Sequence, residues 1–295
     1  MSHRTLVSFD WATKKLLRQK ANFVILEGFL SELLMEDIKV NKILESESNQ
    51  TDEDDKYNVV DLLCEDERGE LIIIEIQFYS ELDYFHRILY GISKVITEYM
   101  KEGDSYAKVK KVYSVNIVYF DLGHGDDYIY HGKTTFQGIH LHDELAFNNT
   151  QKKKFSKDTP GDIYPEIYLI KVNNFNDLAV STLDEWVYFL KNTELPNNFK
   201  AKGLTQVEEH LNYEKMNTKE KSKYDEFIKS RLISKSMLET AIEEGIEKTK
   251  AEAYHEKVDM ILTLHQDGVG LSLLAKASKL SEEEVLKILK ERGEA

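Results

Sequence analysis

Apolar positions change their period several times along this chain. From Trp11 to Met35 they recur at the spacing of one helix face, and Asp10 stands just before them, where a short acid caps an amino terminus. One long first helix is predicted. After the short apolar stretch Ile38 to Leu44 comes Glu45 to Asp55, which has six acids and no apolar residue and predicts a solvated loop. The period then shortens. Tyr57 to Cys64 and Glu70 to Phe78 are β-branched and apolar, and Glu65-Asp-Glu-Arg-Gly69 between them has turn composition, so the pair predicts an antiparallel hairpin. Residues 81–101 return to helical spacing through Leu82, Phe85, Leu89, Ile92 and Ile96, with Gly103 placed as a C-cap. Lys111 to Phe120 and Ile167 to Val172 predict strands, with short strands and loops between them. Residues 182–191 and most of 204–292 predict helix, and Lys215 to Lys250 is too charged to bury much by itself. The expected divisions are a domain over 1–203, a charged helical connector over 204–253 and a small helical module over 254–295.

Composition narrows the class. The 295 residues carry 39 basic and 53 acidic side chains, a formal charge of −14, which excludes a globally basic nucleic-acid coat while leaving local patches open. Cys64 is the only cysteine, so neither an internal disulfide framework nor a cysteine zinc cluster is available, and a reducing cytoplasm is expected. The longest aliphatic stretch, Leu71 to Ile74, is closed by Glu75, and Met1 to Thr5 has no apolar run of signal-peptide type. A soluble protein without a membrane partner is expected.

The hairpin carries the candidate chemistry. With its turn centred on residues 67–69, Asp61 faces Glu75 and Val59 faces Gln77. Like charges directly opposed on antiparallel strands are destabilising, and Glu75 interrupts the aliphatic residues Leu71 to Ile76, where an unpaired carboxylate is costly. A divalent cation resolves both difficulties, because magnesium takes oxygen ligands and is held by one or two carboxylates with water and phosphate oxygens. Nearby lysines answering a half-exposed strand pair would also resolve them. A one-residue slip would send Asp61 to the other face. Glu27 shares a helix face with Phe23, Leu30 and Leu34. Either it joins the same cluster, or it reaches solvent at the edge of that stripe.

Asp61 followed by Glu75-Ile-Gln77 resembles the D-(X)n-E-X-Q variant of the PD-(D/E)XK nuclease signature. The wider text, Phe9-Asp-Trp-Ala12, Leu26-Glu-Gly-Phe-Leu30, Val60-Asp61, Ile74-Glu-Ile-Gln77, Phe85-His-Arg-Ile-Leu-Tyr-Gly91, Val112 to Phe120 and Leu183 to Leu190, is similar to the bacterial recombination-promoting nuclease/transposase family over about the first 210 residues. The resemblance implies an α/β fold: a PD-(D/E)XK restriction-endonuclease-like core, a mixed central sheet flanked by helices, here with a helical C-terminal extension. It further implies Asp61 and Glu75 as metal ligands, Glu27 as the first-helix acid, Gln77 in the place usually held by lysine, and Mg2+ or Mn2+ as cofactor. The chemistry implied is phosphodiester hydrolysis of DNA, with little sequence specificity and a link to recombining or mobile DNA. A glutamine amide can orient water or hold a phosphate oxygen but supplies no charge. The competing expectation is a non-catalytic interaction protein that keeps the fold; no separate strand-transfer element is visible.

Weaker signals complete the set. Arg87 and Lys94 follow the hairpin and are candidates for phosphate or for the acids. Basic clusters at Lys14, Lys15, Arg18 and Lys20, at Lys108, Lys110 and Lys111, and at Lys152, Lys153, Lys154 and Lys157 are either DNA contacts or solvated surface. His140 and His142 alternate, with Glu144, as a strand face able to take a transition metal would require, but no partner motif completes a site and structural roles are the expectation. Leu273 to Val285 is similar to helix-turn-helix text, but Lys279 occupies the turn position where glycine is common, and Glu282-Glu-Glu284 would repel phosphates. That module is therefore read as an interaction element, with self-association through the C-terminal helices expected.

Overall fold

A computed structural model describes residues 6–15, 17, 19–44 and 61–293. The acidic segment 45–55, the first strand's residues 57–60 and Arg18 lie outside the described residues. The chain forms two compact units, divided between Tyr224 and Asp225.

The first unit is built on a six-stranded mixed sheet: β1 (Val40–Leu44), β2 (Leu62–Asp66), β3 (Leu71–Gln77), β4 (Val112–Val118), β5 (Ile129–Gly132) and β6 (Glu166–Lys171), in the order β1-β2-β3-β4-β6-β5. β1, β2 and β3 run antiparallel in turn, β3, β4 and β6 are parallel, and β5 returns antiparallel to β6. The hairpin turn follows from its chemistry. Asp66 Oδ1 accepts the N–H groups of Arg68 (3.0 Å) and Glu70 (2.8 Å), and Gly69 takes the left-handed φ of +79° that closes the loop. That turn sets the pairing Leu62 with Ile74 and Leu63 with Ile73, so Asp61, one step further along the same register, falls opposite Glu75.

The predicted single first helix is two helices, α1 (Phe9–Lys15) and α2 (Phe23–Leu34), joined through a short 3-10 turn at Lys20–Asn22. Gln19 is extended (φ −87°, ψ 130°) and Leu17 is fully buried; the chain leaves helical geometry where it turns Leu17 inward. Asp10 sits inside the first turn of α1 rather than before it. α2 packs closely on residues 202–203: a Cβ at Gly28 would lie 2.7 Å from Gly203 Cα and against the Lys202 carbonyl, which also accepts Trp186 Nε1–H at 3.1 Å. Phe9, Phe29, Trp186 and Phe189 meet in this layer in edge-on and tilted pairs, with Phe9 and Phe29 centroids 5.3 Å apart.

The other face of the sheet is covered by α3 (Tyr84–Glu98), which buries Tyr84, Ile88, Ile92 and Val95 against Leu63, Leu71, Ile73 and Val112. Leu82, Phe85 and Leu89, expected on the inner stripe, are exposed. This helix has apolar residues on both faces, and the sheet selects the face carrying the β-branched Ile92 and Val95. α4 (Asn149–Phe155) and α5 (Thr182–Asn192) follow. The unit does not stop at the expected boundary of 203: α6 (Leu204–His210) packs on α2, Val7 N–H donates to Leu211 O (2.8 Å), and Ser8 N–H donates to the Tyr224 hydroxyl (3.1 Å).

The second unit holds most of α7 (Thr218–Gln266), with α8 (Leu271–Ser278) and α9 (Glu282–Glu291), around a small core of Val258, Ile261, Leu274, Val285, Ile288 and Leu289. Lys279 takes φ +58° in the turn between α8 and α9, and Ser281 with Glu284 forms a reciprocal cap on α9. Among the described residues no helix is long and apolar enough to cross a membrane.

Candidate metal centre

β3 delivers its odd-numbered side chains to the α3 face, as Leu71 and Ile73 in that core show. Glu75 and Gln77 therefore emerge on the same face at the carboxyl end of the strand. Asp61 is held against them: its Oδ2 accepts the Ile76 N–H at 2.7 Å, and its Oδ1 lies 3.1 Å from Lys14 Nζ of α1. Glu75, 8% exposed, has Oε1 at 2.7 Å from an Arg87 terminal nitrogen. The other terminal nitrogen of Arg87 reaches both oxygens of Glu81 at 2.8 and 3.1 Å, and Gln77 Nε2 donates to Glu81 Oε1 at 2.6 Å. Behind them, the Tyr84 hydroxyl reaches Asn116 Oδ1 (3.5 Å), and Asn116 is the register partner of Glu75 on β4.

Electrostatics follow from this crowding. Burial pushes the Glu75 carboxyl above its usual range, Asp61 and Glu81 push the same way, and Arg87 only partly offsets them. Burial and the Glu75 charge likewise hold the Tyr84 phenol neutral well above its ordinary titration. Among the described residues, the three carboxylates of Asp61, Glu75 and Glu81 are met by two cations, Lys14 and Arg87.

The structure separates Glu27 from this group. Its Oε1 accepts the Val40 N–H at 3.0 Å and its Oε2 lies 3.1 Å from Lys39 Nζ. Glu27 thus ties α2 to the start of β1, which supplies the partner its place on an apolar stripe demanded. Among the described residues no three acids, histidines or cysteines are grouped so as to hold a metal ion, and Glu27 is not brought to Asp61 and Glu75. Arg87 lies on the acids, one of its two expected places, and Lys14 also lies against Asp61. A two-carboxylate donor set suits a hard cation that completes its shell with water and substrate oxygens.

The remaining candidates are dispersed. Lys94 is half-buried two turns along α3 from Arg87. Lys152 pairs with Asp158 at 2.9 Å, and Lys153 and Lys154 are exposed on α4. His140 and His142 do not share a strand face: residues 139–141 form a turn and His142 has φ +56°. Glu81, unnoticed in the sequence, links Arg87 and Gln77; its only advance signal was an acid four residues beyond the E-X-Q text.

A mixed sheet with helices on both faces, an acid opposite an E-X-Q strand end and a helical C-terminal region define a PD-(D/E)XK nuclease-like α/β fold. The family model for PD-(D/E)XK nuclease family transposases matches residues 7–241, and the chain belongs to that family. No curated protein and no solved structure matches it. PD-(D/E)XK nucleases generally use divalent metals, and membership gives the chain a nuclease- or transposase-related function.

Proposed function

We propose that the chain is a divalent-metal-dependent DNA endonuclease in which Asp61 and Glu75 hold Mg2+ or Mn2+. The observation that supports this most is the pair of carboxylates brought together by the hairpin register, one of them buried and raised in pKa with more acid than cation around it. A bound cation of this kind polarises a scissile phosphate and lowers the pKa of a coordinated water.

The chain's own groups divide the remaining work. The Ile76 N–H fixes one Asp61 oxygen, so the other faces outward toward Lys14. Lys14 stands where it can bind a phosphate oxygen, supplying from α1 the positive charge that Gln77 lacks. Gln77, oriented by Glu81, presents its amide oxygen as an acceptor for a water proton. Arg87 holds the Glu75 carboxylate in place and would turn further toward Glu81 when a cation arrives. Substrate is DNA, contacted with little sequence information; a link to recombining or mobile DNA and a cytoplasmic setting belong to the same proposal. The C-terminal unit is proposed as an interaction and self-association element, because Glu282, Glu283 and Glu284 put three acids in the first turn of α9, where they would repel phosphate.

Plasmid nicking tests the reading. The wild-type chain should relax supercoiled plasmid with magnesium or manganese and not with chelator, and Asp61→Asn and Glu75→Ala should each lose this while remaining folded. Cleavage surviving both substitutions contradicts the assignment.

A further inference from the structure

Two lysine runs far apart in sequence, 108–111 and 152–157, meet at the end of the sheet remote from Asp61 and Glu75. They line one cleft of about 720 Å³ with Arg68, Lys108, Lys110, Lys111, Lys154 and Lys157, and Glu70 is its one lining acid. Glu70 directly precedes β3, and Lys110 and Lys111 directly precede β4. The cleft is thus at the amino ends of these parallel strands. Glu75 lies five residue steps beyond Glu70, roughly 17 Å at about 3.3 Å per residue.

The cations form an inner and an outer set. Lys111 is buried on Glu166, Lys110 meets Glu65 and Lys157 meets Glu70. These three, like Arg68 on Glu36, Asp66 and Glu70, are already paired with acids and shape the floor. Lys108 and Lys154 are exposed at the rim. Among the described residues Lys108 pairs with the nearby Asp104 within its own turn, a surface pair of small worth that a phosphate can replace. Lys154 has its ammonium 5.7 Å from the Phe155 ring centroid. Tyr106, on the same wall, is 91% exposed, an open aromatic face with no ring stacked on it among the described residues. On a chain of net charge −14, a cation-rich cleft edged by an open aromatic ring is against the overall trend.

We propose that this cleft binds single-stranded nucleic acid, with backbone phosphates on Lys108 and Lys154 and one base stacked on Tyr106. Charged grooves with aromatic platforms bind single strands with little regard to sequence, and the spread of the cations along an open cleft suits a chain of phosphates better than one anion. As an anchor that holds a strand while another part of it reaches Asp61 and Glu75, the cleft rests on the nuclease reading; as a binding site it does not.

Fluorescence anisotropy of a labelled oligothymidine, titrated with the full chain in chelator, tests this. The Lys108→Gln/Lys154→Gln variant should weaken binding at least fivefold at moderate salt and lower the slope of log affinity against log salt by about 1.4, at roughly 0.7 per phosphate contact. Tyr106→Ala should weaken binding about tenfold with the slope unchanged. Both changes lie at exposed positions, so the fold should hold, as a melting curve will verify. A wild-type chain that binds the oligonucleotide in chelator but never nicks plasmid with magnesium or manganese would overturn the nuclease reading and leave this one standing. Unchanged affinity and slope in both cleft variants would overturn the proposal, as would equally strong competition by inorganic phosphate or by duplex.

Discussion

Arg87 lies between Glu75 and Glu81, 2.7 Å from the first and 2.8 Å from the second, so one guanidinium serves two acids beside a third, Asp61. Replacing Arg87 with methionine leaves a buried carboxylate unanswered. The metal-free protein should lose about 1–3 kcal/mol at neutral pH, read from the urea midpoint, and the loss should shrink in acid as Glu75 takes up a proton.

Glu75 has a definite sign in pH dependence. Its pKa is raised in the fold, so the proton it keeps favours the folded state most fully below the unfolded-chain value. That contribution is lost as pH rises from there through the folded value. Glu75→Gln should flatten this part of the stability profile without lowering the melting temperature at neutral pH in chelator. Metal-induced stabilisation of the wild type should fade on acidification, since the ion competes with that proton, and thermal shifts with and without manganese will measure it.

Lys14 and Asp61 form a half-exposed pair, with the Lys14 side chain 41% accessible. Lys14→Met should alter stability by no more than about 1 kcal/mol while lowering plasmid cleavage at least tenfold. Equal cleavage by the variant would remove Lys14 from the proposed phosphate contact.

Gly28 has no room for a side chain, because residues 202–203 pass directly over it. Gly28→Ala should destabilise the first unit by about 3 kcal/mol, the upper range for forced overpacking. Calorimetric melting checks it, and a neutral result would mean that α2 and the 202–203 segment part easily.

How much of this was legible in the sequence depended on how local the determining contact is. The register that sets Asp61 against Glu75 was readable because a tight turn with Gly69 at positive φ leaves little choice of pairing. The buried face of α3 was not, because Tyr84, Ile88 and Val95 compete with Leu82, Phe85 and Leu89 at equal periodicity and only the sheet decides. For Glu27 the stripe position offers the acid cluster or solvent, whereas its partners are the Val40 N–H and Lys39 at the start of β1, a strand that the short stretch Ile38 to Leu44 does not announce. That Lys108 and Lys154 line one cleft depends on where α4 lands, some 45 residues later, and no local pattern encodes it.

Manganese binding reads the central claim most directly. Titrating the ion into the metal-free chain and following the free-ion paramagnetic signal should give a site that Asp61→Asn and Glu75→Gln each abolish and that Glu27→Gln retains. Retention of the site by Asp61→Asn and Glu75→Gln, or its loss in Glu27→Gln with the fold intact, would contradict the two-carboxylate centre.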